Sequence, residues 1–124
     1  MNGEALIARL SPAWTSETSS DAAHWSEGNR AWGQCAVTAL IVQDMFGGEL
    51  LRSKVENISH YWNRLPSGEE IDLTRQQFGE TVVLQGIETR TREYVLGFPD
   101  TRRRYKTLLR RLARDAGTKV VLRP

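Results

Sequence analysis

Apolar positions change their rhythm several times along this 124-residue chain, and the changes mark out its elements. Leu6, Ile7 and Leu10 fall at i, i+1 and i+4 within residues 3–10, which predicts a short amphipathic helix that ends near Pro12 and lies as a lid on the core. Residues 14–32 lose this periodicity. They are polar, rich in Ser, Thr and Asp, and carry tryptophans at 14, 25 and 32, as expected of an aromatic-anchored loop whose length is more often functional than merely connecting. Ala36, Val37, Ala39, Leu40, Ile41 and Met45 then make one segment apolar on most of its surface, predicting a buried central helix over 34–46 stopped by Gly47-Gly48. Glu49–Val55, Ile58–Leu65 and Glu70–Thr74 read as strands, and Pro66-Ser67-Gly68 makes a hairpin of the second and third. Residues 82–98 fit a strand and a docking loop equally well. Pro99-Asp100-Thr101 begins a helix whose Tyr105, Leu108, Leu109 and Leu112 form one apolar stripe; Gly117 ends it, and Lys119 to Leu122 suit a short final strand. The expected class is α+β, in one domain spanning residues 1–124.

Charge adds an asymmetry to this outline. Residues 1–99 hold 8 bases and 13 acids, while residues 100–124 hold 9 bases and 2 acids, so a −5 body precedes a +7 tail. The tail's arginines and lysine suggest a nucleic-acid surface. The apolar stripe instead predicts a helix docked on the body with its bases outward, acids of the body offsetting Arg102 to Arg104 at the unfavourable end of the helix dipole, and nucleic acid as an improbable partner. The longest apolar run, Ala36 to Met45, is broken by Thr38, Gln43 and Asp44 and is too short to span a bilayer. The first ten residues lack the basic and apolar regions of a secretory signal, so a cytoplasmic location is expected.

Candidate chemistry centres on one thiol. A single cysteine makes no internal disulfide, and with two scattered histidines it builds no structural zinc site. No phosphate-binding glycine loop or nucleotide fingerprint occurs, so no cofactor is expected. Cys35 lies in the first turn of the central helix, where unpaired N–H groups and the dipole favour a thiolate and an oxyanion on an attacked carbonyl. The hairpin supplies partners. With a three-residue turn at 66–68, Leu65 faces Glu69, Trp62 faces Asp72 and His60 faces Thr74. His60 and Asp72 are then diagonal neighbours on one face, roughly 7 Å apart at the backbone, with Trp62 placed to shield them. Cys35 as nucleophile, His60 as base and Asp72 as orienting carboxylate form a Cys-His-Asp triad.

Gly33-Gln34-Cys35-Ala36-Val37-Thr38-Ala39-Leu40, Gly47-Gly48-Glu49, His60-Tyr61-Trp62-Asn63, Gly68-x-x-Ile71-Asp72-Leu73-Thr74-x-x-Gln77-Phe78 and Arg104-Tyr105 together resemble the YunG-like family of small bacterial proteins, a family without a settled activity. A cysteine opening a helix, His-x-Trp on one strand and Asp-x-Thr on the next are also similar to the core of transglutaminase-like and papain-like proteins. That likeness implies a central helix packed on a small antiparallel sheet, with Cys, His and Asp in this chain order. It also implies oxyanion or substrate contacts from the segment before the cysteine. Gly33-x-Cys35 matches the papain-like Gly-x-Cys, and Asn29 stands where those enzymes carry a glutamine, with Gln34 or the Trp32 indole as alternatives.

Each residue also has a plainer reading. A lone cysteine in an apolar helix is commonly a small buried hydrophobe, a strand histidine is commonly satisfied by neighbours, and Asp72 alone flanks a turn. Trp14, Trp25 and Trp32 suit loop anchors better than a ligand cage, and Arg75 and Gln77 suit a substrate contact or a solvated strand end. Two classes of function follow. One is a cysteine-dependent hydrolase or acyltransferase acting on an amide, ester or thioester of a small molecule or peptide; the other is an inactive peptide- or small-molecule-binding protein of the same fold.

Overall fold

The computed structural model describes residues 2–78 and 84–115. Gly117 and the strand expected at 119–122 lie outside them, as do residues 82 and 83. The elements run α1 (Gly3–Ala13), α2 (Cys35–Phe46), β1 (Glu49–Val55), β2 (Ile58–Arg64), β3 (Glu70–Ile71), β4 (Gln85–Arg90), α3 (Arg92–Leu96) and α4 (Pro99–Asp115), with short 3-10 turns at Ala22–His24 and Arg75–Phe78. The class is α+β. Four antiparallel strands form one sheet in the order β3-β2-β1-β4.

α1 begins at Asn2, whose side chain accepts the Ala5 N–H, and ends at Ala13, next to Pro12 as expected. The last turn survives because its carbonyls find donors: Arg30 donates to Ser11 O, Pro12 O and Trp14 O, and Arg111 donates to Ala13 O. α2 is the buried centre. Val37, Leu40, Ile41 and Val42 pack with Leu6 and Leu10 of α1, Leu50 of β1, Tyr61 of β2 and Tyr105 and Leu108 of α4.

β1 and β2 meet through Glu56 and Asn57, both at positive φ (49° and 69°), the backbone that a two-residue hairpin turn requires. β2 and β3 pair Asn63 with Ile71 and Arg64 with Glu70, the register set by the three-residue turn. β3 stops at Ile71 instead of Thr74 because the Asp72 side chain accepts the Thr74 N–H, turning the chain away from the sheet into Arg75–Phe78. The ambiguous segment contains an exposed edge strand and a short helix.

α4 docks as its stripe predicts, but its charges are arranged differently. Arg104 is 3% exposed, so not every base faces outward. It donates to Asp100 and to Thr18 O, while Arg103 also takes Asp100. The acid offsetting these bases therefore comes from the first turn of α4 itself, four residues or fewer away, and not from the acidic body. Arg92 instead links the body to α4, contacting Asp44 and the Tyr105 hydroxyl, which donates to Asp44.

Candidate active site

Gly33 carries the chain into α2 at φ +74°, and an added Cβ would lie 2.2 Å from Ser19 Oγ and 2.8 Å from Ser20 N. Only glycine fits this passage, and it sets Cys35 as the first residue of α2. On β2, alternate residues direct their backbone groups to β1, leaving those of Ser59, Tyr61 and Asn63 on the opposite edge. β3 pairs only with Asn63 and Arg64, so the Ser59 carbonyl lies beyond its end; it accepts from Cys35 Sγ at 3.6 Å. Cys35 as a whole is 8% exposed.

Next along β2, His60 is fully buried, with Nε2 2.6 Å from Asp72 Oδ2. The Trp62 ring stacks on the imidazole at 5.6 Å and 16°, and Phe78 meets it edge-on at 4.9 Å. Trp62 is itself tied by its indole N–H to Glu70. Burial favours a neutral imidazole. The hydrogen bond to Asp72 and the neighbouring Cys35 thiol outweigh that cost and raise the pKa to about 9. His60 is thus mostly cationic at neutral pH. Its Nδ1 is buried and has no hydrogen-bond partner among the described residues. Asp72, on the loop after β3, also lies 3.5 Å from Arg75.

The residues expected to contact an oxyanion or substrate are largely committed to holding the loop. Asn29 donates to Gln77 O, the Trp32 indole to Asp21, the Gly33 N–H to Gln77 Oε1, and the Gln34 amide to Thr15 O. Gln34 is fully buried, and its Oε1 has no partner among the described residues. Trp14 is likewise fully buried, donating to Thr38 on α2, while Trp25 closes on Arg30 O.

Gln77 has a role that its sequence position does not reveal. Its Oε1 receives the Gly33 N–H at 3.1 Å while its Nε2 donates to Thr74 O at 3.1 Å, joining the chain before Cys35 to the chain after Asp72. Neither periodicity nor spacing signals a side-chain bond across 44 positions. Phe78 had a weak signal, as an apolar residue closing a polar turn.

An open groove of about 490 Å³ lies between the start of α1, the end of α2 and the β2–β3 hairpin, lined by Glu4, Phe46, Leu65, Glu69, Ile71 and Leu73 among others. It flanks Asp72 through its two sequence neighbours but includes none of the expected site residues. Among the described residues, no group of three or more His, Cys, Asp or Glu side chains is placed to hold a metal, and no helix is long and apolar enough to cross a membrane.

A family model described as YunG protein matches residues 2–117. The uncharacterized protein YunG of Bacillus subtilis (strain 168) is 34% identical over 87 residues, which cover 70% of this chain and 72% of that protein. No solved structure matches.

Proposed function

The chain belongs to the YunG family, and we propose that it is a cysteine-dependent hydrolase or acyltransferase with a papain- or transglutaminase-like core, acting on an amide, ester or thioester carbonyl. The observation that carries this reading is a buried imidazole one residue along β2 from the carbonyl that the Cys35 thiol contacts, held through Nε2 by Asp72, with Nδ1 unpartnered among the described residues.

At neutral pH the reaction starts from the minority neutral form of His60: Asp72 accepts the Nε2 hydrogen, so the Nδ1 lone pair is the one available for the Cys35 proton. With that proton on Nδ1, the sulfur attacks the carbonyl carbon. A C–S bond forms and the carbonyl electron pair moves to oxygen, where the first-turn N–H groups of α2 favour the negative charge. As the oxyanion collapses, the bond to the leaving nitrogen, oxygen or sulfur breaks and Nδ1 returns the proton to that atom. Water, or an amine in the transferase case, then gives its proton to Nδ1 and attacks the thioester, releasing the sulfur. Trp62 and Phe78 exclude water from the imidazole, which strengthens its interaction with Asp72.

A second reading rests on the thiol's own contact. Cys35 is nearly enclosed and its hydrogen points at Ser59 O, as suits a protein that binds a peptide or small molecule at this fold without turnover. Alkylation by iodoacetamide at neutral pH, followed by intact-protein mass spectrometry, separates the two. The catalytic reading expects single modification at Cys35, slowed at least about tenfold by His60→Ala. A wild-type rate no faster than that of a free thiol, and unchanged by His60→Ala, overturns it.

A further inference from the structure

Among the described residues, a row of bases without acidic partners lies on α4. From Tyr94 to Arg114 the sequence has seven bases and one acid, Asp100, which is taken by Arg103 and Arg104. Arg104 faces inward, and Arg111 is tied to the end of α1. Arg102, Lys106, Arg110 and Arg114 remain, each four residues from the next along α4, and none has an acidic partner among the described residues. At the helical rise they form one line, stepping about 6 Å each time and covering about 18 Å.

The line continues into exposed aromatics. Phe98 precedes α4 by one residue and sits one turn before Arg102, whose backbone N–H donates to Phe98 O. Phe98 is 51% exposed and Tyr94 43%, their rings edge-to-face at 5.5 Å. Arg102 bends back to Leu96 O, and Arg90 lies over the Tyr94 ring. Two solvent-facing rings beside guanidinium groups therefore adjoin one end of a row of cations.

Against the expectation from the apolar stripe that nucleic acid is an improbable partner, we infer that this face of α4, with Tyr94 and Phe98, binds single-stranded nucleic acid, phosphates following Arg102, Lys106, Arg110 and Arg114 while bases stack at the aromatic end. The step along the row suits successive phosphates of an extended strand, and stacking on exposed rings recognises any base. α4 lies flat on α1 and α2 through Tyr105, Leu108 and Leu112, so it is poorly disposed to enter a duplex groove. The same docking consumes the apolar face that a membrane-surface helix would insert. An acidic protein would meet the cations but give the rings no specific task.

Fluorescence anisotropy of a labelled oligouridylate of about twelve nucleotides with the full chain tests the inference. Four neutralised phosphates predict a log–log salt slope near −3, so affinity falls about 50-fold between about 50 and about 200 mM salt. Lys106→Glu with Arg110→Glu, both exposed or half-exposed positions, abolishes most binding without lowering the melting temperature. Tyr94→Ala with Phe98→Ala weakens binding at least about tenfold and leaves the salt slope unchanged. No binding at the lower salt, binding indifferent to the charge reversals, or equal affinity for duplex, polyglutamate or anionic vesicles overturns the inference.

Discussion

Replacing Asp72 by Asn removes the carboxylate while keeping its shape, and its main effect falls on His60. In the wild type the imidazole pKa rises from 6.5 to about 9, although burial pulls it down, because the Asp72 hydrogen bond and the nearby thiol pull harder. A folded-state pKa above the unfolded one means that the native protein binds the proton more tightly. The resulting stabilisation is fully present below about pH 6.5 and is lost as pH climbs through about 9, with an upper limit of about 3 kcal/mol. In Asp72→Asn the burial cost is no longer opposed by the carboxylate, so the imidazole titrates much lower and this loss of stability disappears. Urea unfolding at intervals from about pH 6 to about pH 9.5 gives the difference profile, and imidazole chemical shifts locate the titration directly. Wild-type and Asp72→Asn stabilities that run parallel through this window would refute the coupling of His60 to Asp72.

Three further outcomes follow from contacts elsewhere. Gly33→Ala places a Cβ 2.2 Å from Ser19 Oγ at φ +74° and costs about 2–3 kcal/mol, measured by thermal unfolding; an unchanged melting temperature would show that the turn before Cys35 is slack. Gln77→Leu strands the Gly33 N–H, while Thr74 O keeps the Gln77 backbone N–H, lowering stability by about 2 kcal/mol and slowing Cys35 alkylation, whereas an unaltered alkylation rate at reduced stability would confine Gln77 to a role in folding. Trp14→Phe loses the buried bond to Thr38 Oγ1 and costs about 1–3 kcal/mol; in a double-mutant cycle with Thr38→Val, strictly additive effects would deny that coupling.

How much of the fold the sequence disclosed depends on how local the controlling interaction is. α2 was legible as an apolar run closed by Gly47-Gly48, and α4 because burial on one side imposes helical spacing on Tyr105, Leu108 and Leu112. The β2–β3 register was legible because Pro66-Ser67-Gly68 closes a turn in which Leu65 N–H reaches Glu69 O at 2.8 Å, and every pairing beyond it counts from there. β4 left no such mark. All but one of its residues are exposed, so burial does not alternate along it, and only its pairing with β1 makes it a strand. The fate of Arg103 and Arg104 was misjudged for a related reason: the relevant acid was Asp100, one turn away, while the count of acids in the body carried no information about distance.

The same distinction runs through the candidate site. The His60–Asp72 hydrogen bond was readable from the short turn, but the strand pairs Trp62–Asp72 and His60–Thr74 expected with it are not formed, because β3 ends at Ile71 and Asp72 reaches His60 from the loop beyond it. The contact of Cys35 with the β2 edge next to this pair depends instead on where β3 ends, because a longer β3 would cover that edge at Ser59. That end is made by Asp72 itself. One carboxylate oxygen accepts the Thr74 N–H and turns the chain off the sheet, while the other holds His60 Nε2. Asp72 thus both opens the edge that the thiol occupies and orients the imidazole beside it. Asp72→Asn, which keeps an oxygen able to accept from Thr74, is therefore the substitution that separates the two roles: the edge stays open while the charge is removed. Asp72→Ala removes both, so a variant series in which Ala slows alkylation of Cys35 more than Asn does assigns the excess to the turn. Equal effects of the two would leave charge as the whole contribution of this residue.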